Sequence, residues 1–138
     1  MDQITGESVR TLRRDLLTST TDEGRRRVVV IYNPKAGQRR YPLFSSVIKR
    51  LKAFGVEVAV LETGARGDAE AFARRARQHS LMQVSDAPDA VVAAGGDGTI
   101  NEVVNGMSGG DLPLAILPLG TANVLAAEIG LKVKAEAI

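Results

Sequence analysis

From Arg27 onward the chain alternates two hydrophobic rhythms. Short continuous apolar runs occur at Arg27-Val28-Val29-Val30-Ile31-Tyr32, from Val56 to Leu61, at Asp89-Ala90-Val91-Val92-Ala93-Ala94, and at Leu114-Ala115-Ile116-Leu117. Their β-branched and small residues predict strands covered on both faces. Between them, apolar residues recur at helical spacing: Phe44, Val47, Ile48 and Leu51; then Ala69, Phe72, Ala73 and Ala76; then Ile100, Val103, Val104 and Met107. Gly55 stands where a helix C-terminus would place it, and Asp68 where a second helix would take its N-cap. With another helix expected after Leu117, four βα units result. Such alternation predicts a three-layer α/β domain, a mostly parallel sheet with helices on both faces and ligands at the carboxyl ends of the strands.

Three of those strand ends carry glycine turns: Asn33-Pro34-Lys35-Ala36-Gly37, Gly95-Gly96-Asp97-Gly98-Thr99, and Pro118-Leu119-Gly120-Thr121-Ala122-Asn123. Glycine permits positive φ and a close approach of backbone to ligand, and the free N–H groups of a helix start favour anions. A nucleotide phosphate suits such a turn. The chain has no Gly-Lys pair, which excludes a Walker A loop. A dinucleotide fingerprint fails as well, because its third glycine position is Asn101 and an acid, Asp97, stands inside the turn. A carboxylate beside a pyrophosphate repels it unless a metal intervenes, so the turn reads as a site for a metal-bound nucleotide.

The three motifs together, in this order and spacing, resemble the catalytic domain of the diacylglycerol kinase family, which includes bacterial lipid kinases and sphingosine kinases and is related to NAD kinases. The likeness runs from about Arg27 to the C-terminus. It implies a Rossmann-like, NAD kinase-type fold and an ATP site built from Asn33, Pro34, Lys35, Ala36 and Gly37, from Thr63, from Gly95, Gly96, Asp97, Gly98, Thr99, Asn101 and Glu102, and from Gly120 and Thr121. It further implies transfer of the γ-phosphoryl of MgATP to a lipid hydroxyl, diacylglycerol by default, with Asp97 as the catalytic carboxylate nearest the Mg²⁺. Family members continue into a second, β-rich domain that completes the lipid site and supplies further acids. This chain has room for the first domain only, so it is expected to be truncated and to bind nucleotide without turnover by itself. Two other readings stand beside this one: an NAD kinase-like phosphotransferase, which shares the Gly-Gly-Asp-Gly-Thr turn, and a non-catalytic nucleotide-binding module.

Several of these residues have plainer readings. An Asp in a tight turn often bonds its own backbone, but a turn with three glycines needs no Asp for its shape. Glu102 is placed where a carboxylate complements a helix dipole, and Asn101 where an amide caps a loop. Thr63 is singled out only by the resemblance.

Composition narrows the partners. With 138 residues, 44% of them apolar, the chain forms one core: residues 27–138 are expected to be the domain and 1–26 a mobile extension. Val9, Leu12, Leu16 and Leu17 suggest a short amphipathic helix in that extension. No apolar stretch reaches the roughly 18 residues of a membrane span and no signal region is present, so a cytoplasmic protein is expected, peripheral to the membrane where its lipid lies. Cysteine is absent and histidine occurs once, which excludes disulfides and a zinc cluster. The net charge is only +2, yet Lys35, Arg39 and Arg40 gather at the first turn, where they are either solvated or face an anion. Aromatics make up 4% of the chain with no tryptophan, too few for the stacking platforms of nucleic-acid binding. An apolar face left by the absent domain would favour homo-oligomers.

Overall fold

The computed structural model describes residues 24–36 and 40–120. Seven elements follow in order: β1 (Arg27–Tyr32), α1 (Tyr41–Ala53), β2 (Glu57–Glu62), α2 (Asp68–Leu81), β3 (Ala90–Gly95), α3 (Asp97–Met107) and β4 (Leu114–Pro118). The expected extension up to residue 23, and the helix expected after the third glycine turn, lie outside the described residues.

The four strands form one parallel sheet in the order β2-β1-β3-β4. β1 and β3, with the most continuous apolar runs, take the centre. Alternation along β1 divides the core: Val29 and Ile31 face α2 and α3, whereas Val28, Val30 and Tyr32 face α1. β3 divides likewise, Val91 and Ala93 against Ala94. Helices thus cover both faces, as the sequence predicts. Tyr32 stacks on Phe44 of α1, with ring centroids 3.9 Å apart and 11° between planes.

The second strand begins one residue later than the apolar run suggests. Val56 is consumed by the end of α1: Gly55, at φ +80°, donates its N–H to Lys52 O (3.0 Å), and Val56 donates to Leu51 O (3.1 Å). This pair is the Schellman ending for which a left-handed glycine is favoured, as Gly55 promised.

α2 and α3 meet through small residues. Ala69, Ala73 and Ala76 are buried against Val103 and Met107, and a Cβ at Gly106 would sit 2.4 Å from Glu70 O and 2.7 Å from Ala73 Cβ. No side chain fits there without pushing the helices apart. Because α2 and α3 start at the same edge of the sheet, this close packing brings their N-termini to the ends of β2 and β3.

Candidate nucleotide site

Every element that reaches the site leaves the sheet at the carboxyl end of a strand. After β1, Asn33 continues the ladder by donating its N–H to Ala94 O (3.0 Å). Its side-chain Oδ1 accepts from Lys35 N (3.0 Å), and its carbonyl accepts from Ala36 N (3.1 Å). This Asx turn lifts Lys35 out of the sheet plane and into solvent. The Asn33 amide donates from Nδ2 to Thr99 Oγ1 at 3.3 Å, tying the first turn to the second.

In the second turn, glycine serves close approach rather than unusual backbone angles. Gly55, Gly67 and Gly109 are the described glycines with positive φ, and Gly96 is extended at φ −85°, ψ −173°. Of the two properties that glycine offers such a turn, close approach is the one used here. Gly95 is required because a Cβ there would lie 2.7 Å from Thr99 Cβ and 2.8 Å from its Oγ1. Thr99, buried except for 7% of its surface, folds back over the end of β3. Gly96 acts as N-cap of α3, which has no side-chain cap bond, so the first-turn N–H groups are not taken by a capping side chain. The third turn closes on the second: Leu119 N donates to Gly95 O (2.9 Å), and Gly120 Cα lies 3.7 Å from where a Gly96 Cβ would be.

The loop after β2 contributes more than Thr63. Thr63 N donates to Tyr32 O (2.9 Å), and the loop then turns through Gly64 to Gly67. Asp68 does not cap α2 as expected; it is the first helical residue, and left-handed Gly67 is the N-cap. Its Oδ2 instead accepts from Gly64 N and Ala65 N, both at 2.8 Å, and so shapes the loop. Glu102, one turn into α3, accepts from Gly67 N at 2.6 Å. The carboxylate is therefore a brace between α3 and this loop.

These segments enclose an open polar cavity of about 460 Å³. Asn33, Lys35, Thr63, Gly98, Thr99, Asn101 and Glu102 all line it. Seven of the residues expected from the sequence are thus brought together. Pro34, Ala36, Gly95, Gly96 and Asp97 lie close by in the chain, and Gly120 lies against Gly96, but none of them lines the cavity. Gly37, Arg39 and Thr121 lie outside the described residues. Arg40 turns away, donating from Nη1 to Pro118 O at 3.4 Å. Sequence reasoning missed Gly64, Ala65 and Arg66, which line the cavity beside Thr63. Position directly after a strand was the available signal, since ligands collect at strand carboxyl ends.

The electrostatics favour an anion. Lys35 and Arg66 line the cavity without an ion pair among the described residues, while the one acid in the wall, Glu102, holds Gly67. The described residues contain no group of three His, Cys, Asp or Glu side chains that would by itself hold a metal. A divalent ion would therefore have to arrive with oxygen ligands of its own, as the phosphates of a nucleotide provide.

The family profile of the diacylglycerol kinase catalytic domain matches residues 27–138. The chain belongs to that family. It is 35% identical over 109 residues to a diacylglycerol kinase of Bacillus subtilis, an alignment that covers 77% of this chain and 34% of that protein. It is 39% identical over 105 residues to one of Staphylococcus aureus, covering 72% and 30%. The fold agrees: a diacylglycerol kinase structure from Bacillus anthracis superposes with a TM-score of 0.65 at 31% identity, covering 80% of this chain and 39% of the other. This diacylglycerol kinase-family chain spans about a third of the length of the curated relatives it matches.

Proposed function

We propose that this chain is the nucleotide-binding domain of an ATP-dependent lipid kinase that transfers the γ-phosphoryl group of MgATP to a lipid hydroxyl, that of diacylglycerol. The acceptor comes from the names of the relatives. The observation that carries the nucleotide reading is the convergence of the Asn33 turn, the Thr63 loop and the start of α3 on one cavity whose two cations have no ion pair among the described residues.

Each residue has a role set by its chemistry. Backbone N–H groups at Gly98 and Thr99 belong to the uncapped first turn of α3 and would donate to phosphate oxygens. Thr99 Oγ1 already accepts from Asn33, which leaves its hydroxyl hydrogen to donate outward. Thr63 offers a second neutral hydroxyl, and Lys35 a point charge. Asp97, the first residue of α3, would hold the nucleotide's Mg²⁺ directly or through water. Bound Mg²⁺ would neutralise charge on the phosphate oxygens. Taking the proton of the lipid hydroxyl falls to a base that we assign to the portion of the relatives this chain does not span. We place the enzyme in the cytoplasm, meeting its lipid at the membrane surface. No helix among the described residues is long and apolar enough to cross a membrane.

Calorimetric titration of the chain with MgATP, beside an Asp97→Ala variant and a magnesium-free control, tests the reading. Saturable binding that weakens in both controls supports it. Binding indifferent to magnesium and to Asp97 would remove the metal-bound nucleotide from the proposal.

A further inference from the structure

Arg66 is the one cation in the cavity wall that neither the turn motifs nor the helix patterns single out. The loop that carries it is tightly set: Asp68 accepts from Gly64 N and Ala65 N at 2.8 Å, and Glu102 accepts from Gly67 N at 2.6 Å. Two carboxylates thus stand next to an arginine and both are spent on backbone N–H groups. The Arg66 guanidinium pairs with neither, and among the described residues it has no hydrogen bond or ion pair, although it lines the cavity. Lys35, also unpaired there, stands on the loop that leaves the neighbouring strand.

We infer that Arg66 is a phosphate-binding residue, which together with Lys35 clamps the polyphosphate chain of the nucleotide from the β2–α2 loop. The inference rests on the nucleotide reading above and adds to it a residue and a division of labour. A guanidinium presents a planar fork that matches two phosphate oxygens at once, whereas the Lys35 ammonium is a point charge that follows the ligand. A loop held at three backbone positions loses little freedom when its arginine engages, so the contact is preorganised. The described wall contains no aromatic side chain to stack a base, which leaves the phosphate chain as the part of the ligand that these two cations read.

The test is titration of the chain, and of its Arg66→Gln and Arg66→Lys variants, with MgATP, MgADP and AMP. Arg75→Gln, which removes an exposed cation of α2 outside the cavity, controls for bulk charge. Arg66→Gln should weaken MgATP by about tenfold or more, MgADP less, and AMP hardly at all, with partial recovery in Arg66→Lys and no change in melting temperature. Arg75→Gln should bind as the unmodified chain does. Equal affinities for Arg66→Gln and the unmodified chain would overturn the assignment, leaving Arg66 a solvated cation and the nucleotide reading intact. An equal loss for all three ligands would overturn it too, since the contact would then be to the nucleoside. Failure of the unmodified chain to bind any of them would instead overturn the nucleotide reading, and this inference with it.

Discussion

Glu102 and Gly67 are 35 positions apart, yet the Glu102 carboxylate accepts the Gly67 N–H at 2.6 Å. One side chain on α3 thereby fixes the start of α2 and the loop that lines the polar cavity. Glu102→Ala should destabilise the chain by about 1 kcal/mol, the scale of a charge-assisted bond discounted for its exposure, and should weaken MgATP binding by loosening the loop. Urea unfolding read beside calorimetry checks both. Weakened binding with unchanged stability would point to direct contact with the ligand.

Gly106 predicts a larger effect on stability and none specific to the site. Its missing Cβ would meet Glu70 O at 2.4 Å and Ala73 Cβ at 2.7 Å. Gly106→Ala should cost roughly 1–3 kcal/mol by overpacking the α2–α3 interface, despite the better helix propensity of alanine. The midpoint of denaturant unfolding reads the outcome; an unchanged or raised midpoint would show that the helices separate without cost.

The Asn33–Thr99 bond joins two turns that the sequence presents as separate motifs. Thr99→Val keeps the shape that covers Gly95 but removes the acceptor, and Asn33→Ala removes the donor. Each should cost about 1 kcal/mol, and a double-mutant cycle should return a coupling of roughly 0.5–1 kcal/mol. Additive losses would mean that the 3.3 Å contact contributes nothing.

Tyr32 sets a pH dependence on the alkaline side. Burial first, and then the negative charge of Glu62 and the nearby Tyr41, raise its phenol above the ordinary value of 10.0. The folded chain therefore keeps a proton that the unfolded chain gives up, so stability is intact below about pH 10 and falls as pH rises past it. Phenolate absorbance in a Tyr41→Phe background should show Tyr32 ionising above its unfolded value, as the chain loses structure. Ionisation at or below the ordinary value in a still-folded chain would contradict this.

Lys35 should register in binding and not in folding. It is exposed, and its backbone N–H rather than its ammonium makes the turn. Lys35→Ala should leave the unfolding midpoint unchanged, weaken MgATP binding several-fold, and lessen the dependence of affinity on salt, because one charge less is screened. Titrations at two ionic strengths decide it.

Much of the fold was legible in the sequence because its signals are local. Apolar runs and helical spacing identify four strands and three helices, and Gly55 marks the end of α1 by the same short-range rule. The motifs around Asn33 and Asp97 are contiguous, so the family and the rim on which the polar cavity lies could be read without coordinates. Asp68 shows where local rules stop: before a helix it reads as a cap, but with Gly67 taking the N-cap its carboxylate turns back to the loop. Glycine in the Gly-Gly-Asp-Gly-Thr turn was legible as a residue of positive φ or of close approach, but only the fold chose between them, because the bulk that excludes a Cβ at Gly95 is Thr99, four residues on and folded back.

The sequence by itself determined which segments are strands and helices, that they alternate, and which strand ends carry glycine turns, since each depends on neighbours within a few positions. Only the tertiary structure decided that β1 and β3 are central while β2 takes an edge, that α2 and α3 approach through Gly106, and that Arg66 joins Lys35 across one cavity. Those outcomes depend on which strand pairs with which and on how closely helices pack. Contacts between residues tens of positions apart set both, and no short-range pattern encodes them.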